Sequence, residues 1–334
     1  MKILVDALGG DFAPQAVLEG AAKALAERKD LSLVVVGPVE ECKASMAKLG
    51  VDLTRVEFLE ASEAVLNTDH PAMFLKQKPN SSLAIAYDAL RKRDDIDGMV
   101  SAGPTGAVLT GAVLRLGRIP GIERPALITT LPTKKGSLVY LLDCGANVDC
   151  KPEYLYQFAL MASTYLECLG IKNPRVSLLN VGAEEGKGDD LSKEAFNLLK
   201  GSSLNFIGNI EADHVLDGDT DIVTCDGFAG NVFLKGSEGA LLYMKDKMKL
   251  VMAGTFWRKI GALFQLRGLK EAMVPFEMMK KGCAPLLGTK KLVVKAHGKS
   301  SAEVIGGTIL VAASLAEKGL LKNIEKALPQ EKKA

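Results

Sequence analysis

The sequence predicts an α/β protein: a mostly parallel sheet with helices on both faces and a cleft between two lobes. Three observations carry this expectation. Short β-branched or leucine-rich runs alternate with helical patterns along the chain. Those runs are apolar without strict alternation, as strands buried on both faces are. Each run also ends in a glycine-rich turn, a helix or both.

The elements follow in order. "KILVDA" reads as a strand, Gln15 to Arg28 as a helix, "LSLVVVG" as a strand, Val39 to Leu49 as a helix and "RVEFLE" as a strand. Further strands are expected at "IDGMVS", "PALITTL", "SLVYLLD", "RVSLLNV", "LNFIGN", "TDIVTCD" and "KLVVKA". No internal repeat, low-complexity stretch or Pro/Ser-rich linker divides the chain, so residues 1–334 read as one unit.

Composition narrows the function classes. At 334 residues and 48% hydrophobic content, the chain can bury a large core. A formal net charge of +2 creates no global field for nucleic acid. The six cysteines include no C-x-x-C pair, so neither a zinc site nor a disulfide framework is indicated and a reducing cytoplasm is expected. "MKILVDALGG" lacks the apolar stretch and cleavage site of a signal peptide. The uncharged run between Asp97 and Arg115 is close to the lower limit of about 17 residues for a span, but its proline, glycines and hydroxyl residues read as strand, loop and helix.

In open parallel sheets, ligands sit beyond the carboxyl ends of the strands. The loops there are "DALGGDFAP", "SAGPTGA", "DCGAN", "NVGAEEGKG", "GNIEA", "DGFAGNVFLKGSEG" and "HGKSS". Glycine-rich turns at helix N-termini offer N–H groups to anions, so phosphate is the default ligand, and a tight turn with no ligand is the alternative for each alone. "GAEEGKG" has the wrong spacing for a Walker A loop, and "LGGDFAP" is not the dinucleotide fingerprint.

Taken together with "APLLG", these motifs resemble, in order and approximate spacing, the bacterial phosphate acyltransferase (PlsX) family from Met1 to about Ala316. The resemblance implies a fold similar to isocitrate and isopropylmalate dehydrogenases and to phosphotransacetylases. It also implies transfer of a long-chain acyl group from acyl-(acyl carrier protein) to inorganic phosphate, for glycerophospholipid synthesis, by a homodimer. Two departures stand out: Pro104 where asparagine is expected, and Leu8 where methionine is usual. Pro104 removes a donor N–H and any side-chain amide.

Phosphate attack on a thioester needs a held dianion, donors for the tetrahedral oxyanion and an exit for the thiolate, but no enzyme nucleophile. Cys144 and Cys225, at strand ends, therefore read as structural. Ser101, Gly103, Thr105 and Gly106 are the expected phosphate cradle, joined by Lys235. Lys187, flanked by glycines, is the expected catalytic cation, with a solvated loop lysine as the alternative. Asn231 lies four residues before Lys235 and is either a cleft residue or a helix cap. His297 is expected to orient the oxyanion or protonate the thiolate, whereas His70 and His214 read as structural or surface residues.

No cofactor is expected. Asp6, Asp11, Asp143, Asp217, Asp219, Asp221 and Asp226 leave a divalent metal as the weaker reading.

Residues 238–270 are expected to form a basic amphipathic helical hairpin, broken at "AGT". Its Lys245, Lys249, Trp257, Arg258, Lys259, Leu263 and Phe264 are candidates for contact with an anionic membrane surface or an acidic carrier protein; a core or dimer helix pair is the alternative. A peripheral place on the inner face of the cell membrane would also bring a downstream glycerol-3-phosphate acyltransferase within reach. The rival functions are an acyl-CoA phosphotransacylase and a non-catalytic membrane-surface scaffold.

Overall fold

The computed structural model describes residues 1–255, 264, 265, 268 and 283–329. Two sheets carry the fold. The seven-stranded sheet contains β1 (Lys2–Asp6), β2 (Ser32–Gly37), β3 (Val56–Glu60), β4 (Gly98–Ser101), β5 (Ala126–Leu127), β11 (Cys283–Leu287) and β12 (Leu292–Ala296), in the order β3-β2-β1-β4-β12-β11-β5. The five-stranded sheet contains β6 (Thr129–Pro132), β7 (Leu138–Leu142), β8 (Val176–Leu179), β9 (Phe206–Ile210) and β10 (Ile222–Thr224), in the order β6-β7-β10-β8-β9. Neighbours are parallel except β12/β11, β11/β5 and β6/β7.

Strand composition explains the layers. Ile3 and Val5 of β1 belong to one core cluster and Leu4 to another, so successive side chains meet different helices. One face is covered by α1 (Gln15–Glu27), α2 (Val39–Lys48) and the helix Ala302–Glu317. The other is covered by α4 (Ser82–Lys92) and α5 (Thr105–Gly111), beside the short α3 (Phe74–Gln77). The five-stranded sheet repeats the scheme: Tyr140, Leu142, Val176 and Leu178 face α6 (Pro152–Cys168) and α7 (Asp190–Lys200), whereas Val139, Leu141 and Val223 face the first turns of α8 (Gly227–Met252).

Two expectations need correction. "PALITTL" is not one strand: Ala126–Leu127 joins the seven-stranded sheet, Thr129–Pro132 the other, and the chain changes sheet at Ile128. The first arm of the basic segment does not begin at 238, because α8 runs unbroken from Gly227 to Met252. It does end just before Ala253, Gly254 and Thr255, where the break was expected. The rest of the hairpin, including Trp257, Arg258, Lys259 and Leu263, lies outside the described residues. Among the described residues no single helix is long and apolar enough to cross a membrane.

Candidate functional site

The site begins where β1 and β4 run side by side. Asp6, at the end of β1, is buried, and its Oδ2 accepts the Ser101 hydroxyl at 2.6 Å. Ser101 Oγ in turn accepts the Gly103 N–H at 3.0 Å. Burial raises the Asp6 pKa, and the Ser101 bond opposes the rise. The two loops touch here: a Cβ on Gly9 would stand 2.9 Å from the Gly103 nitrogen, so only glycine fits this approach. Ser101 and Gly103 thus spend their donors holding the turn together.

Thr105 opens α5, where the first N–H groups have no intrahelical acceptor. Tyr87 secures this helix by donating its hydroxyl to the Val108 carbonyl at 2.5 Å. Gly106 lies close under Pro71, whose ring would be 2.9 Å from an added Cβ.

Two pockets meet at this point. The first, about 510 Å³, lies between the loops after β1, β4 and β12 and is lined by Leu8, Asp11, Pro104 and Lys299 among others. The second, about 360 Å³, lies between the sheets and is lined by Thr129, Cys144, Asn231, Lys235 and Glu238 among others. Thr105, Lys295 and His297 belong to both walls.

α8 carries Asn231 and Lys235 into the second pocket. Its N-cap is Asp226, whose Oδ1 accepts the Ala229 N–H at 2.8 Å, so Asn231 is a cleft residue and not the cap. Asn231 faces Gly145 on the loop after β7. That loop is organised by Asp143, fully buried, which accepts N–H groups from Leu127, Cys144 and Asn147. Burial pushes its pKa up to about 6.

His297 Nδ1 accepts the Lys299 N–H at 3.1 Å, so a neutral ring carries its proton on Nε2. Burial first, and the Lys295 charge second, lower its pKa and favour that neutral form. The thiols are inert by environment. Burial raises both Cys144 and Cys225 well above the ordinary thiol range.

Lys187 stands elsewhere. It is exposed on the loop after β8 and lines neither pocket; Asn180 Nδ2 donates to its carbonyl at 3.1 Å. Strand order is the reason, since β8 and β9 lie at the edge away from β6, the strand continuous with the other sheet. The carboxylates also scatter: Asp217 pairs with Lys134 and His214, Asp221 with Arg175, and Asp226 caps α8. Among the described residues no three His, Cys, Asp or Glu side chains gather to hold a metal ion. His70 and His214 are exposed and line neither pocket.

The family model described as fatty acid synthesis protein matches residues 1–323. A phosphate acyltransferase of Clostridium acetobutylicum is 40% identical over 331 residues, covering 99% of both chains. The Bacillus licheniformis phosphate acyltransferase is 42% identical over 332 residues, again covering 99% of each. The chain belongs to the phosphate acyltransferase (PlsX) family. As a phosphate acyltransferase it is an enzyme of the acyltransferase class in fatty acid and lipid synthesis.

Solved structures agree on the fold. A phosphotransacetylase from Streptococcus pyogenes superimposes with a TM-score of 0.63 at 18% identity, covering 94% of each chain. The EutD phosphotransacetylase from Staphylococcus aureus gives 0.59 at 15% identity, covering 95% of this chain and 94% of its own. A 4-hydroxythreonine-4-phosphate dehydrogenase from Salmonella typhimurium gives 0.51 at 14% identity, covering 94% of this chain and 99% of its own.

For a phosphate acyltransferase, the cleft residue that sequence reasoning missed is Lys295. The signal was a lysine inside the apolar run "KLVVKA", which a strand pattern absorbs without comment.

Proposed function

We propose that this phosphate acyltransferase takes its acyl group from long-chain acyl-(acyl carrier protein) and passes it to inorganic phosphate. A phosphate oxygen attacks the thioester carbonyl, the new C–O bond forms, the C–S bond breaks, and the carrier thiolate leaves to take a proton from solvent. The products are acyl phosphate and free carrier protein.

The observation that carries this reading is the meeting of two pockets at Thr105 and His297. The Thr105 hydroxyl and the first N–H groups of α5 are suited to hold phosphate. Neutral His297, Asn231 and Lys235 are suited to donate to the tetrahedral oxyanion. Lys187 lines neither pocket, and Lys187→Met separates the proposed catalytic role, with turnover lower by orders of magnitude, from that of a solvated loop lysine.

The inert thiols support direct attack without an acyl-enzyme. A separate groove of about 820 Å³, walled by Leu109, Val113, Ile119 and Ile122 together with Arg118, Glu123 and Arg124, is the space proposed for a long acyl chain. Peripheral membrane contact is supported by Leu242, Tyr243, Leu250 and Val251, all exposed along α8 on either side of Lys245, Lys247 and Lys249. Homodimer formation and hand-over to a membrane glycerol-3-phosphate acyltransferase are part of the same proposal.

The test is hydroxylamine-trappable acyl phosphate from palmitoyl-(acyl carrier protein) beside palmitoyl-CoA at equal concentration. Strong preference for the carrier protein is expected. Product from the CoA thioester alone makes it a CoA-dependent phosphotransacylase, and a cleft-dead variant with full cellular function makes it a scaffold.

A further inference from the structure

β12 hides a charge. Its five residues, Leu292 to Ala296, are all buried, and Lys295 is only 9% exposed. The strand is held from both sides, with Lys295 in register with Ser101 of β4 and Ala284 of β11. The lysine Nζ donates to the Ala296 carbonyl at 2.9 Å, and no carboxylate of the described residues pairs with it. Removing an ammonium from water costs several kcal/mol unless a counter-charge offsets it.

The charged and titratable groups of the surrounding walls are Asp11 from the β1 loop, Lys235 and Glu238 from α8, Cys144 from the β7 loop, and His297 and Lys299 from its own loop. Asp11 and Glu238 act on His297, whereas burial alone depresses Lys295, to about 8. The lysine therefore remains a cation at neutral pH with no counter-ion among the described residues. It stands in the wall common to both pockets, as Thr105 and His297 do.

We propose that Lys295 anchors an anion subsite at the junction of the two pockets, and that inorganic phosphate, the acyl acceptor, is the mobile counter-charge it takes. This rests on the phosphate acyltransferase reading of the cleft. A phosphate held there touches both compartments, so its attacking oxygen reaches a thioester in the second pocket. The carrier protein's prosthetic group offers a phosphodiester of similar chemistry, and the experiment separates the two sources.

The full chain and its Lys295→Met and Lys295→Arg variants are compared in two assays: acyl phosphate formation with phosphate and thioester varied in turn, and the rise in Tm caused by inorganic phosphate alone. Lys295→Met is expected to raise KM for phosphate by about tenfold or more and to abolish the phosphate-induced rise in Tm, with Lys295→Arg keeping part of both. Its own Tm without phosphate should equal or exceed that of the parent, because an unpaired buried charge has gone. An unchanged KM for phosphate with an unchanged Tm response overturns the proposal, as does an effect confined to the thioester. A parent that forms no acyl phosphate, yet is stabilised by phosphate through Lys295, sinks the reaction and leaves the subsite standing. Should Lys295→Met fail to fold, acetylation of Lys295 in the parent decides: protection by phosphate is expected, and equal labelling with and without phosphate overturns it.

Discussion

Asp143 Oδ1 accepts the Leu127 N–H at 3.0 Å, although one residue follows a strand of the five-stranded sheet and the other belongs to the seven-stranded sheet. The same carboxylate accepts the Asn147 N–H at 2.5 Å and the Cys144 N–H at 2.8 Å, so one buried group ties the β7 loop to the point where the chain changes sheet. Removing it strands several buried donors. Asp143→Ala is expected to lose about 2–3 kcal/mol of stability, read by denaturant unfolding, and a parent-like midpoint would refute the tie.

The same residue makes stability depend on pH. Its folded pKa of about 6 lies above the ordinary 3.8, so the folded protein binds this proton more tightly than the unfolded chain. The stabilisation is fully present below pH 3.8 and is lost as pH rises through about 6. The parent should therefore lose stability relative to Asp143→Asn between pH 4 and 6, in paired melts, and then run parallel to it above about 7.

Lys295 gives the opposite pattern on the alkaline side. Its folded pKa of about 8 lies below the ordinary 10.5, so the protein without ligand gains stability from this group as pH rises from about 8 to 10.5. Phosphate needs the cation, so KM for phosphate should climb above about pH 8 in the parent and stay flat in Lys295→Met. Initial rates across pH 7 to about 9.5 check this; identical profiles would exclude Lys295 from the anion's surroundings.

Ser101 and Thr105, one turn apart in sequence, should separate by role. Ser101→Ala removes the bond to buried Asp6 and should lower stability by about 1–2 kcal/mol. Thr105→Ala touches only the pocket wall and should raise KM for phosphate while its melting curve stays within about 0.5 kcal/mol of the parent. Melts and phosphate titrations of both variants suffice, and reversed assignments would redraw the site.

Gly230 lets the first turn of α8 pack against the loop after β7. A Cβ there would lie 2.1 Å from the Asp143 carbonyl oxygen and 2.8 Å from Cys225 Sγ, which leaves no room to relax. Gly230→Ala is expected to cost roughly 1–3 kcal/mol and to displace Asn231 and Lys235 from the cleft, lowering turnover as well as Tm. Full activity in that variant would show that the helix entry tolerates movement.

Exposed apolar side chains on α8 and beyond it test the membrane proposal. Leu250 is 67% exposed and Phe264 83% exposed, so Leu250→Glu with Phe264→Glu removes apolar surface without touching a core. Co-sedimentation with anionic vesicles should fall several-fold while the far-UV spectrum is unchanged. Sedimentation equal to the parent's would send these residues to another partner.

Local pattern determined much of this protein. The apolar runs specified most strands, because a strand buried on both faces must be apolar whatever its neighbours are. Gln15 and Val39 open helices as their periodicity requires. The loop motifs also selected Thr105, Asn231, Lys235 and His297, which the fold gathers around one cleft. What only the tertiary structure decided is who stands beside whom. Ile128 reads like any strand residue, yet the chain changes sheet there, because strand partners come from hydrogen bonds distant in sequence. Lys187 has the glycine setting of a cleft cation, but strand order carries β8 away from the junction. Lys295 looked like one more strand residue, and became the buried charge of the site because β4 and β11 enclose its strand and both pockets open on its side chain.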